Sequence, residues 1–444
     1  MIIIIVIIFI AVFLGKNIAQ TSYDIPFFIV IGLMVSIVTF LRPDLGLLII
    51  IFSMLLSPEI KVGSIPGRDI VLRLEDFLLI IITFTWLART AINKELGLFR
   101  STPLNVPIGI YIATCIVLTL RGIILGYVIP LKGFFYLFKY IEYFVLYFMV
   151  ANQVRTRSQI KMFIVAFILT CFITCIYANL HIGLVSRATA PFEGAGEPNT
   201  LGGYLVFMLA ILMGIFLYST SKKTKFFLAM IGIFFILPAF LFTLSRTSYI
   251  AVVPMWFSLI IFGQRKVMLI SILLLAVFLG LVFMPYPVKE RIKYTFTARS
   301  EQIRPASMLG MELDPSASAR IRSWEDIWKK SEHKILGYGV TGFGFIDGQY
   351  MRILAEMGII GLCIFLFLLW AIFKNGLDVF LMVRDKLFKG ISLGFLSGFV
   401  GLVFFNVGAN GFILTRIMEP FFFMAAIVML LPMIPQSEEY TRCN

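Results

Sequence analysis

Charge is scarce in this sequence: only 14% of its 444 residues are Asp, Glu, Lys or Arg, against 60% hydrophobic. That balance, with a mean hydropathy of +0.98, excludes a soluble domain and leaves a chain built for lipid. Histidine is rarer still. The two present, His181 and His333, lie far apart and offer no H-E-x-x-H or comparable ligand spacing, so no metal site is expected. The five cysteines form no zinc spacing and no disulfide framework, because Cys115, Cys171, Cys175 and Cys363 sit inside apolar runs and Cys443 near the end of the chain. Strict polar and apolar alternation is missing as well, which argues against a membrane β-barrel. G-x-S-x-G, the kinase signature set, a phosphate-binding P-loop and internal repeats are also absent, and no cofactor is expected.

Long apolar runs fill the space those absences leave. A bilayer core of roughly 30 Å takes about 20 apolar residues in a helix. Runs of that kind predict spans near 1–15, 25–41, 45–57, 70–92, 104–125, 133–151, 160–182, 199–218, 225–243, 247–262, 266–285, 351–373, 387–407 and 411–432. The expected fold is therefore an all-α polytopic membrane protein of about 14 (12–14) transmembrane helices. The opening run lacks a basic leader and an A-x-A-like cleavage site before Lys16, so it reads as a retained span.

A net charge of +14 records orientation here rather than a nucleic-acid partner. Short loops carrying Lys94 and Arg100, Arg155 and Arg157, Lys222 and Lys223, Arg265 and Lys266, and Arg384 and Lys386 fall on one side, which the positive-inside rule makes cytoplasmic. Both termini then lie inside. Three regions follow: residues 1–285 with the first eleven spans, 286–350 as a large external loop, and 351–444 with the last three spans and a cytoplasmic tail. Within the loop, Ile321, Trp324 and Trp328 repeat at helical spacing, predicting a short amphipathic helix on the membrane or over a cavity. Gly337, Gly339, Gly342 and Gly344 predict a flexible, turn-rich stretch before Asp347.

On the external side the short loops and span ends favour arginine: Arg68, Arg73, Arg121, Arg187, Arg246 and Arg416. Its planar fork of donors stays charged and matches phosphate oxygens in pairs, so a ring of arginines suits an anionic lipid head group. A single arginine at a span end can equally snorkel to lipid phosphate. Arg246 stands out because its hairpin, 243–249, leaves only a few polar residues between two apolar runs, and ions at such a place mark sites. Arg320 and Arg322 flank the start of the amphipathic segment, with Arg320 four residues from Trp324. Asp347 precedes the next span and could accept a proton from a hydroxyl. Glu356 inside that span reads as a paired structural carboxylate, and Lys139 and Glu142 as a neutralising pair.

Several of these residues fall into an ordered set of motifs. Arg320 through Trp328, then GYGV from Gly337, then DGQYMRILAEMGIIG from Asp347 resemble the R…W…G-x-G…(H/D)-x-x-Y-x-x-x-L-x-E-x-G-x-x-G pattern of the O-antigen ligase and polymerase superfamily. RATAPF from Arg187, EPNTLGGY from Glu197 and LSRTS from Leu244 resemble its upstream segments, and RLED from Arg73 is a weaker echo. The resemblance covers roughly residues 185–365 in motif detail.

The resemblance implies a C-type glycosyltransferase-like fold that transfers a glycan on the outer face of the bacterial inner membrane. It further implies an undecaprenyl-pyrophosphate-linked oligosaccharide donor, a lipid-linked acceptor, inversion, and arginine in place of a metal. Arg246, Arg320 and Asp347 become the catalytic candidates, and Arg187, Arg322, Tyr350, Arg73 and Arg121 the substrate-binding ones. Ligases typically carry histidine where this chain has Asp347, which favours a repeat-unit polymerase and leaves Asp347 either as base or as a group that orients the acceptor. A chain-length regulator protein is then an expected partner. The alternatives are a ligase acting on a lipid A core, and a flippase or anionic-solute transporter. The transporter is disfavoured by the lack of paired broken helices in two halves.

Overall fold

The computed structural model describes residues 24–65, 68–92, 100–192, 197–283, 285–297, 307–308, 311–312, 315–330, 333–344 and 346–434. The expected first span, the loop residue Lys94 and the C-terminal tail lie outside the described residues.

Each remaining expected span is a helix. They are α1 (Asp24–Leu41), α2 (Pro43–Leu56), α3 (Leu74–Ile92), α4 (Asn105–Ile124), α5 (Pro130–Gln153), α6 (Arg157–Leu180), α7 (Pro198–Tyr218), α8 (Lys222–Phe242), α9 (Arg246–Phe262) and α10 (Lys266–Phe283). After the long loop come α13 (Gln349–Met382), α14 (Lys386–Gly408) and α15 (Thr415–Leu430). Among the described residues, α4 to α8 and α13 to α15 are long and apolar enough to cross a membrane, the last with the residues that follow it to Met433. Shorter apolar stretches in α1, α2, α9 and α10 accompany them. The loop contains α11 (Tyr286–Thr297) and the amphipathic α12 (Pro315–Lys330).

Two boundaries differ from the sequence reading. The span expected from residue 70 starts at Leu74, because Arg68–Arg73 (β2) pairs antiparallel with Glu59–Ile65 (β1) in a hairpin. A smaller hairpin joins Ser307–Met308 and Met311–Glu312. The span expected to stop at 373 continues to Met382, so Lys374 rides on a helix beside Trp370.

The interior belongs to α7, α14 and α15, whose apolar windows are 83%, 78% and 89% buried. Association in lipid depends on close packing rather than on water exclusion. Gly214 of α7 meets that need: a Cβ there would lie 2.2 Å from the carbonyl oxygen of Gly390 on α14, so the two backbones touch. Phe395, Phe399 and Phe421 stack across α14 and α15.

Helix α13 is broken at Gly358, with φ of 67°. A break in lipid frees backbone groups that need partners. The chain at 333–342 supplies them. Ile359 and Ile360 donate to the carbonyls of Lys334 and Ile335, while Tyr338 and Gly339 donate to those of Ala355 and Glu356. The stretch expected to be flexible is thus pinned to the helix as a strap.

Candidate functional site

Every arginine singled out in the motifs maps to one end of the bundle, where α4 and α6 finish and α3, α7, α9, α13 and α15 begin. Local sequence explains how each is held. Ser245 caps α9, its hydroxyl accepting from the Ser248 backbone at 3.3 Å and donating to Asn199 of α7 at 2.7 Å. That cap fixes Arg246 as the first residue of α9, half-buried. Arg187 clamps the hairpin from the other side, donating through Nε to the Thr243 carbonyl at 2.9 Å and through a terminal amine to Leu244 at 3.2 Å.

Arg416 joins these loops to the far side of the bundle. It is fully buried and donates to the carbonyls of Pro191 at 3.0 Å and Ser57 at 3.2 Å. Arg73 pairs with Glu75 at 3.2 Å and donates to Thr415, the residue before Arg416. Beneath them Lys139 bridges Asp76 of α3 and Glu142 of α5. The pair expected within α5 is present, and Asp76 is the partner that helical spacing did not suggest. Arg68 lies in β2, and its side chain is outside the described set.

The second half of the site is built on α12 and the start of α13. Arg320 Nε lies 3.1 Å from Asp347 Oδ2, and Trp324 donates its indole N–H to the Asp347 carbonyl at 2.8 Å. The tryptophan therefore orders the aspartate rather than covering the arginine stem. Arg322 follows on α12, half-buried. This half meets the first through the end of α14, where Gln349 donates to the Ala409 carbonyl and Gly408 packs near Thr247, the neighbour of Arg246.

Other candidates serve the frame. Tyr350 donates its hydroxyl to the Val403 carbonyl at 2.7 Å, fastening α13 to α14. Arg121 donates to the Gly337 carbonyl at 2.9 Å, fastening α4 to the strap. Arg352 and Glu356 form a buried pair at 3.1 Å, and the same carboxylate accepts from the Thr341 backbone. Glu356 is thus the paired structural carboxylate its position suggested.

Backbone strain marks the same region. The non-glycine residues with positive φ among those described are Phe192 at 59°, Leu244 at 50° and Thr341 at 69°. They fall in the RATAPF segment, the LSRTS hairpin and the strap respectively. Such conformations cost on the order of 1–3 kcal/mol and persist where the surroundings over-determine them, commonly at ligand sites. No sequence signal separates these residues from their neighbours.

The site therefore offers arginine donors near a carboxylate at the membrane edge of a helical bundle. Arg320 engages Asp347 through Nε, and its terminal amines make no other hydrogen bond among the described residues. Arginine donors of this kind match the geometry of oxyanions.

Comparison with known proteins bears on the segment that carries these groups. Residues 231–366 match a family described as O-antigen ligase. No curated protein matches the chain.

Proposed function

We propose, on the support that the matched segment gives to the O-antigen ligase and polymerase superfamily, that this multi-pass membrane protein is a polysaccharide repeat-unit polymerase. One observation carries the reading: the matched segment contains Arg246, Arg320 and Asp347, and the fold sets them around the end of α14. In this reading the donor is a glycan on undecaprenyl pyrophosphate and the acceptor a second lipid-linked glycan. The site faces the outer side of the inner membrane, at the end of the bundle opposite the basic loops, and a chain-length regulator is a partner.

The chemistry follows from the donor set. An acceptor hydroxyl oxygen attacks the anomeric carbon, the bond to the pyrophosphate oxygen breaks, and configuration inverts. Arg246 and Arg320, with Arg187 and Arg322 beside them, receive the charge developing on the leaving pyrophosphate. Asp347 accepts the hydroxyl proton or orients the hydroxyl. Arg73 lies where the lipid phosphate would enter, while Arg121 and Tyr350 hold the frame.

The family description favours a second reading, a ligase that delivers finished glycan to a lipid A core. Purified protein in detergent, given lipid-pyrophosphate-linked repeat units, a lipid A core acceptor and EDTA, separates the two. A ladder of longer glycans that survives chelation and is lost in Arg246→Ala supports the polymerase. Transfer to a lipid A core without a ladder makes the protein a ligase, and no transfer from authentic donor by folded protein overturns both.

A further inference from the structure

Beside Asp347 lies a pair of amide side chains that the chemistry above does not use. Gln349, the first residue of α13, is fully buried, and neither its Nε2 nor its Oε1 has a hydrogen-bond partner among the described residues. Asn410 is also buried. Its Nδ2 donates to the Ile346 carbonyl at 2.7 Å, while its Oδ1 is unpartnered. The two residues are neighbours across the junction of α13 and α14, because the Gln349 backbone donates to the Ala409 carbonyl at 3.1 Å. An unmade hydrogen bond on a buried polar group is destabilising, since its desolvation goes uncompensated. Two such amides at one junction are an expensive choice where leucine would pack.

What would satisfy them is defined by their atoms. Two free carbonyl oxygens demand donors, and one free amino group demands an acceptor. A pyrophosphate diester, which is fully ionised and only accepts at neutral pH, cannot serve the carbonyls. A sugar hydroxyl can, and so can an acetamido group, which offers one N–H and one C=O. The arginines nearby answer the opposite demand, for oxyanions.

Helix α12 lies against the two residues that precede Gln349. Its Trp324 packs on Gly348 and donates to the Asp347 carbonyl, and Arg320 holds the Asp347 side chain. The apolar contacts beneath it form a small cluster of Ile327, Ile346 and Ala355 with Trp324, Phe343 and Met351, separate from the main core. Among the described residues α12 is held by a partly exposed ion pair, an indole hydrogen bond, the Lys334 ammonium over the Trp328 ring and a satellite cluster, and an element held in this way opens more readily than the bundle does.

We infer that Gln349 and Asn410 form a subsite for a neutral glycan group, a hydroxyl or an acetamido substituent of the acceptor sugar, uncovered when α12 lifts from Asp347. The inference rests on the glycosyl-transfer reading and assigns its acceptor pocket.

Binding is tested apart from transfer by saturation-transfer NMR on the purified full chain in detergent, with cellobiose and N,N′-diacetylchitobiose as probes. The expected result is saturation of at least one disaccharide by the wild type and its loss in Gln349→Leu and Gln349→Met. A response to chitobiose alone identifies the acetamido group, and a response to both identifies hydroxyls. Replacing an unpartnered amide with an apolar chain of similar size should also hold or raise the melting temperature. With lipid-linked substrates, the acceptor KM should rise at least tenfold while the donor KM stays put. The subsite is overturned if neither probe binds, if both variants bind as the wild type does, or if both fail to fold, since the amide is then structural. A wild type that binds disaccharide but transfers nothing overturns the glycosyl-transfer reading and leaves the subsite standing.

Discussion

Arg320 and Arg352 each sit 3.1 Å from a carboxylate, yet burial separates what the two pairs do. Arg352 and Glu356 are 5% and 1% exposed, so removing the cation strands a charge in the interior. Arg352→Ala should destabilise the protein by about 3–5 kcal/mol, read as a fall in thermal midpoint in detergent. Arg320 and Asp347 are 22% and 37% exposed, and such a pair contributes about 1 kcal/mol or less. Arg320→Ala should therefore leave the midpoint nearly unchanged while slowing glycan transfer on the order of a hundredfold, the cost of losing one donor to a developing oxyanion. The place of Glu356 inside an apolar helix anticipated that it would be paired, and the structure supplies Arg352, four residues earlier on the same helix face, as the partner. The Arg320 and Asp347 pair joins residues that only folding brings together.

The elements divide in the same way. Helix α12 was legible from Ile321, Trp324 and Trp328, but nothing local says what that face covers. Its attachment through a satellite cluster predicts faster amide exchange in α12 than in α7 or α14, measurable by mass spectrometry of the protein in detergent micelles. The strap shows the converse. Its glycines suggested flexibility, whereas the backbone groups of Lys334, Ile335, Tyr338 and Gly339 close the break in α13. At Gly358 a Cβ would sit 2.3 Å from the Ile335 carbonyl oxygen, with φ already in the left-handed region. Gly358→Ala should cost about 1–3 kcal/mol and loosen the strap, seen as faster exchange of the amides at 338 and 339.

At the scale of the molecule, the alternation of α4 through α10 puts the Arg246 hairpin and the start of α8 at opposite ends of the bundle. Impermeant maleimide applied to intact cells or spheroplasts tests which end faces out, using single cysteines in a cysteine-free background. Labelling of Arg322→Cys but not of Lys222→Cys is the expected pattern, and the reverse would invert the proposed orientation. The sequence by itself determined the order and approximate placing of the spans among the described residues. Each depends on about 20 neighbouring apolar residues whose transfer into lipid is a local property. It also marked the arginine-bearing turns, where charge interrupts those runs. Partners were decided only in three dimensions: Lys139 reaches Asp76 on another helix, Arg416 donates to carbonyls at 191 and 57, and the Gln349 side chain has no hydrogen-bond partner among the described residues. A hydrogen bond requires two groups within about 3 Å, and that proximity comes from the packing of α3, α5, α13, α14 and α15, which no local pattern in the chain encodes.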